Sequence, residues 1–167
     1  MAKKKLRPPV KTHGGKFYLM DFIISNFPEN YKELNYCELF CAGASVFLNK
    51  EPSKEEVIND VDTGLISIYK SLRDEPDEII DRLKKIDYNE KTFNEALAKS
   101  ELPFEDYIEH ALNEFILRRM SRGGMKKIFA WSDRLRGGKP GDVNAWNTIL
   151  EQLPLISERV KNTIILN

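Results

Sequence analysis

The sequence predicts an α/β fold, a parallel sheet with helices on its faces. Three observations carry that prediction. Short strand-like runs alternate with helix-spaced apolar residues between Leu6 and Leu72. The stretch 71–120 is helical in its spacing and acidic. The apolar run Thr163-Ile164-Ile165-Leu166 then closes the chain as a third strand. The 167 residues suffice for one domain of ordinary size.

Phe17, Met20, Ile23, Ile24 and Phe27 recur at helical spacing, and Pro28 stops that run. Tyr36-Cys37-Glu38-Leu39-Phe40 reads as a strand and is followed by the small residues Cys41-Ala42-Gly43-Ala44-Ser45. Val46-Phe47-Leu48 opens a brief helix, and Val57-Ile58-Asn59-Asp60 is a second strand. Thr63 suits the cap of a helix whose apolar positions are Leu65, Ile66, Ile68, Tyr69 and Leu72. Ile79, Ile80, Leu83 and Ile86 mark the next helix, Phe93 and Leu97 a weaker one, and Phe104 to Ile116 a long one. Ser121-Arg122-Gly123-Gly124 breaks it. Asp142 suits the cap of a helix bearing Trp146, Ile149 and Leu150, which leads to the last strand.

The net charge is zero but segregated. Residues 1–20 carry six basic side chains and no acid, including Lys3, Lys4, Lys5, Arg7, Lys11 and Lys16. Residues 118–139 carry eight basic side chains against Asp133 alone, whereas 74–114 sum to −8. A local basic surface attracts phosphates even on a neutral protein, because screening confines its field to about 8–10 Å. Within FILRRMSRGGMKKIFAWSDRLRGGK, Arg118, Arg122, Lys126, Lys127, Arg134 and Arg136 suit phosphate or base-edge contacts, and the Gly pairs let a loop follow a groove. The same pattern also suits a solvated basic loop. Phe129 and Trp131 suit either base stacking or anchoring of the loop to the core; for Trp131, anchoring is the expected role.

The turn after the first strand has the form of a nucleotide or nucleoside cradle, in which a small-residue turn admits a ligand to backbone N–H groups. Asp60 follows Glu38 by 22 residues, near the offset at which such folds place a carboxylate on ribose hydroxyls. KTHGGK at 11–16 adds a second glycine turn, with Gly15 expected to supply the unusual φ. A plain strand end at Glu38 and a plain N-cap turn at 11–16 fit the residues too. His13 and His110 lie far apart and Cys37-x3-Cys41 has no neighbouring ligand pair, so no metal site is expected. No apolar run of signal-peptide length follows MAKKKLRPPV, and none approaches the ~20 residues of a membrane span. The expectation is a cytoplasmic protein with Cys37 and Cys41 reduced, away from any membrane.

Taken in order, KTHGGKFYL, YCELFCAGASVFLNK and VINDVDTGLISIYKSLRD resemble the N-terminal half of the Dam-type DNA adenine-N6 methyltransferases, phage and prophage members above all. FILRRMSRGGMKKIFAWSDRLRGG and VNAWNTILEQLPLISERVKN are similar to the later part of those members, so the resemblance covers nearly all of 7–167. It implies part of a doubly wound, Rossmann-like sheet that binds S-adenosylmethionine, interrupted by a helical target-recognition subdomain. On that pattern 1–72 is the cofactor portion, 73–142 the insertion, and 143–167 the return helix and third strand.

The resemblance places Thr12, Gly14, Gly15 and Lys16 in a first cofactor loop, and Glu38, Phe40, Ala42, Gly43 and Ala44 in the loop after the first strand. It implies that Glu38 helps hold the methionine end, Phe40 flanks the adenine and Asp60 bonds the ribose. It places Arg122, Gly123, Gly124, Lys126 and Lys127 where the DNA-contacting loop begins, with double-stranded DNA as partner. The family usually has Pro after the loop acid and Gly where Ala42 and Ala44 stand, so altered cofactor affinity is expected.

The family's catalytic Asp-Pro-Pro-Tyr, which receives a base flipped out of the duplex, does not occur in residues 1–167; the one Pro-Pro is Pro8-Pro9. The expectation is a chain inactive alone, completed by a C-terminal segment or second polypeptide that carries the tetrapeptide. An exposed sheet edge that self-associates or binds that half should accompany it. The alternative is a non-catalytic DNA-binding or regulatory module derived from such an enzyme.

Overall fold

The computed structural model describes residues 5–104 and 106–167; Lys3 and Lys4 of the basic N-terminal run lie outside them. Three parallel strands form the sheet: β1 (Asn35–Glu38), β2 (Glu55–Asn59) and β5 (Ile164–Leu166), in the order β1-β2-β5. Helix α1 (Met20–Ser25) precedes β1, α2 (Ser45–Asn49) joins β1 to β2, and α3 (Thr63–Asp74) follows β2. Helices α4 (Pro76–Lys84), α5 (Glu90–Lys99) and α6 (Tyr107–Met120) form the helical stretch. A two-stranded ribbon, β3 (Leu135–Arg136) and β4 (Lys139–Pro140), then leads into α7 (Gly141–Val160).

Strand alternation fixes what the sheet buries. Tyr36, Glu38, Glu56, Ile58 and Ile165 point to the helix-covered face, where Ile58 and Ile165 join the core. The other face is open. Cys37, Val57 and Ile164 line up in register across it, exposed or half-buried, with Leu166 beyond. Helices were expected on both faces, as parallel sheets almost always have; among the described residues they cover one.

The residues 73–142 do not own a core. One buried cluster runs from Phe47 and Ile58 through Ile68 and Leu72 to Leu83, Phe115 and Leu153. Helix α6 lies along α3, and α4 and α7 close around them. Two caps differ from expectation. Asp62, not Thr63, begins α3, because its carboxylate accepts the Leu65 N–H at 2.9 Å. Asp142 lies inside the first turn of α7, whose N-cap is Pro140 with no side-chain cap.

The basic stretch is tied down by aromatic packing. Phe129 sits among Tyr88, Phe93 and Trp131, and the Tyr88 hydroxyl donates to the Ala130 carbonyl at 2.7 Å. The anchor is therefore Phe129. Trp131 lies half-exposed over it, with its indole N–H on Asp133. Gly137 and Gly138 both have positive φ, the geometry that a two-residue hairpin needs to match strand twist, so the second Gly pair makes a ribbon rather than a loose loop.

Candidate functional site

The site begins where β1 ends. After Glu38 the chain turns over the C-terminal end of β2: the Cys41 N–H donates to the Asn59 carbonyl at 2.9 Å, and the Asn59 side chain donates to the Leu39 carbonyl at 2.8 Å. Asp60 clasps the turn, one carboxylate oxygen accepting the Ala42 N–H at 2.9 Å and the other the Asp62 N–H at 3.1 Å. Ala42 and Ala44 have φ of 44° and 48°. These are the two positions where the resembled family carries glycine, and a left-handed backbone with a Cβ costs about 1–2 kcal/mol each.

Gly43 serves close approach. A Cβ there would meet the Pro8 Cβ at 3.0 Å and the Thr12 hydroxyl at 3.2 Å, so the lack of a side chain lets segment 8–12 lie on the turn. In the 11–16 turn the left-handed residue is Gly14, φ +70°, and not Gly15; Lys16 folds back to donate to the Gly14 carbonyl at 2.7 Å. The two turns face each other across a cavity of about 330 Å³, with His13, Lys16, Glu38, Phe40 and Gly43 on its wall. Glu38 is half-buried; one of its carboxylate oxygens accepts the Tyr36 hydroxyl, and the other is buried with no partner. Burial pushes the Glu38 carboxyl above its ordinary range, against the opposing pull of the Tyr36 hydroxyl, the Phe47 N–H, Lys50 and Arg159.

A second cavity of about 540 Å³ shares Gly15 and Ser45 with the first. Arg7, Lys11, Thr12, Arg119 and Arg136 are on its wall. Burial pulls the Arg119 guanidinium down to about 10, with Arg7 adding repulsion. Its Nε is buried without a partner, as are the hydroxyls of Thr12 and Ser45. The space is cationic and rich in unmet hydrogen-bonding atoms, which suits an anionic, hydroxyl-bearing ligand.

The residues expected in the cofactor loops therefore converge, except that Thr12 faces the second cavity and Asp60 stands behind the turn, reaching it through Ala42. The expected DNA contacts divide. Arg122, Lys127, Arg134 and Arg136 are exposed. Arg118 is not available to a duplex: it is buried, with Glu114 at 2.8 Å and Asp62 at 2.6 Å. Lys126 pairs with Glu114 at 2.9 Å. Lys126 fastens the loop to α6, and Arg118 fastens α6 to the start of α3. Sequence reading missed Lys11 and Arg119 as wall residues. Helical geometry turns Arg118 and Arg119 about 100° apart, but no local signal says which of them meets an acid.

Among the described residues no group of His, Cys, Asp and Glu is placed to hold a metal ion, and no helix is long and apolar enough to cross a membrane. Cys37 and Cys41 are free thiols.

A family model for D12 class N6 adenine-specific DNA methyltransferases matches residues 13–127. The chain is 37% identical over 81 residues to the type II methyltransferase M1.LlaDCHI of Lactococcus lactis subsp. cremoris, covering 48% of this chain and 28% of that protein. It is 31% identical over 88 residues to the type II methyltransferase M.MjaIII of Methanocaldococcus jannaschii, covering 49% and 30%. The modification methylase StsI of Streptococcus sanguinis is 28% identical over 75 residues, 45% of this chain and 11% of that protein. The chain thus spans less than a third of the curated relatives it matches.

Proposed function

The chain belongs to the D12 class of N6 adenine-specific DNA methyltransferases, and from that premise we propose that it forms the S-adenosylmethionine half-site and part of the DNA-contacting face of such an enzyme. The observation that carries the proposal is Glu38 on the wall of a cavity between two turns, one of its carboxylate oxygens buried without a partner, with Lys16 on the same wall. A buried carboxylate and an ammonium in one small pocket complement the two charges of an amino-acid end.

The residues fit the cofactor. Glu38 accepts the methionine ammonium, Phe40 flanks the adenine, Gly14, Gly15 and Lys16 form the facing wall, and Gly43 lets segment 8–12, with Thr12 toward the second cavity, lie against the turn. Asp60 stands behind the turn and acts on the pocket through the Ala42 N–H it accepts; the ribose contact that the resemblance implies would use its remaining lone pairs. The cofactor, when bound, supplies an electrophilic sulfonium methyl group for transfer to adenine N6. This chain's residues bind and orient, which is where the rate enhancement of such a transfer chiefly arises.

DNA is read here as lying over the second cavity and the ribbon, within reach of Arg122, Lys127, Arg134 and Arg136. Register supports this: Arg136 and Lys139 stand directly opposite each other in β3–β4, a like-charge pair that an isolated ribbon disfavours and an anionic partner rewards. Residues 73–142 then serve target recognition while sharing the core of 1–72 and 143–167. Asp-Pro-Pro-Tyr is supplied by a further segment or subunit that receives the flipped adenine beside the cofactor turn. A protein with this role and two free thiols works in the cytoplasm.

The test is calorimetry of this chain with S-adenosylhomocysteine, then methyl transfer to DNA after adding a segment bearing the tetrapeptide. Heat with the ligand and methylation on complementation are expected; the absence of both ends the proposal. The strained Ala42 and Ala44 favour one second reading, a DNA-binding module without cofactor, which predicts salt-dependent DNA affinity and no ligand heat.

A further inference from the structure

Five residues on the covered face of β1 and β2 form a neutral charge quartet joined by one phenol. Lys50 is almost wholly buried, and its ammonium sits between Glu56 Oε1 at 2.5 Å and Ser53 Oγ at 2.8 Å. Arg159 from α7 closes on the other Glu56 oxygen at 2.5 Å. The Lys50 ammonium also lies 4.2 Å from the centroid of the Tyr36 ring. The Tyr36 hydroxyl donates to Glu38 Oε1 at 2.9 Å. Lys50 and Arg159 thus balance Glu56 and Glu38, and Tyr36 is the neutral link between the two acids.

We propose that Tyr36 is a positioning residue for cofactor binding: its hydroxyl holds one oxygen of Glu38 so that the other, unpartnered oxygen faces the ammonium of the bound amino-acid end. Strand alternation places the two side chains on one face two residues apart, so the hydrogen bond is short-range and fixed by the backbone. The cation over the ring draws electron density from the phenol and makes it a better donor. Burial and the Glu38 charge push the Tyr36 hydroxyl far above its ordinary range, so it donates at every working pH. Tyr36 touches neither cavity wall and acts only through Glu38. This inference rests on the proposed cofactor reading.

Two ligands separate it from a merely structural role. S-adenosylhomocysteine carries the ammonium, whereas 5′-methylthioadenosine keeps the nucleoside and lacks the amino-acid end. Calorimetry with Tyr36→Phe should show about tenfold weaker binding of the first, the size expected for losing a hydrogen bond to a charged group, and an unchanged affinity for the second. Glu38→Gln should show the same split, and Tyr36→Phe added to Glu38→Gln should change nothing more. Equal losses for both ligands, or additive losses in the double variant, overturn the role of Tyr36 and leave the cofactor reading standing. If the unsubstituted chain binds neither ligand, the cofactor reading falls and this inference with it.

Discussion

The turn around Gly43 and the basic stretch 118–139 solve opposite problems. In the turn, backbone sterics decide everything: Asp60 accepts two N–H groups, Gly43 admits segment 8–12, and Ala42 and Ala44 bear the left-handed conformation. In the basic stretch, tertiary partners decide. Neighbouring cations of equal charge have different fates, Arg118 and Lys126 closed on Glu114 while Arg122 and Lys127 stay at the surface. A steric motif carries its geometry with it; a charged one acquires its role from what packs beside it.

The largest test of that contrast is Glu114→Gln. Glu114 is buried against both Arg118 and Lys126, and removing one member of such a buried group leaves uncompensated charge. A loss of about 3 kcal/mol in urea unfolding is expected, and a loss below about 1 kcal/mol would mean that the hub does not hold the stretch. Asp60→Ala orphans the Ala42 and Asp62 N–H groups and should cost about 2 kcal/mol of stability together with ligand heat. If stability falls and ligand heat survives, the turn is structural only.

The double substitution Arg134→Ala with Arg136→Ala should lower the salt slope of DNA binding by about 2 with no change in melting temperature. Arg118→Met should do the reverse; a matching loss of slope would place Arg118 on the duplex after all. Ala44→Gly relieves a φ of 48° and should stabilise by about 1 kcal/mol in thermal melts, whereas destabilisation would show that the Cβ packs usefully.

The smallest effect is electrostatic. Burial raises the folded-state carboxyl of Glu38, so its charged form opposes folding, and that penalty is present above the raised value and absent at acid pH. Glu38→Gln should therefore melt slightly higher than the parent at pH 7, with the gap closing as pH falls through the ordinary carboxylate range. Glu56 has the opposite sign. Burial works against its charge, but hydrogen bonds from Arg159 and Lys50 prevail and hold it below its usual range, so its contribution is lost on acidification.

The strands and turns between Leu6 and Leu72 were legible because strand alternation and runs of small residues are local facts. The family match to residues 13–127 covers the same ground. Details within one residue of a cap were not: Asp62 and Thr63 are both good N-caps, and the choice rests on which carboxylate reaches Leu65. Gly14 and Gly15 differ likewise only in which one the turn inverts. Anchoring was expected of Trp131, yet Phe129 is the ring that Tyr88 and Phe93 surround. The open sheet face was illegible for a further reason. Cys37, Val57 and Ile164 are as apolar as any covered row, so the sequence pattern alone predicts cover on both faces.

That row supplies its own gauge. Cys37 lies exposed in it, while Cys41 is buried and its thiol is pushed up to about 12 by burial. A maleimide or similar alkylating reagent should modify the first sulfur and spare the second, so the rate at which one label is taken up becomes a direct stopwatch for access to the bare strands.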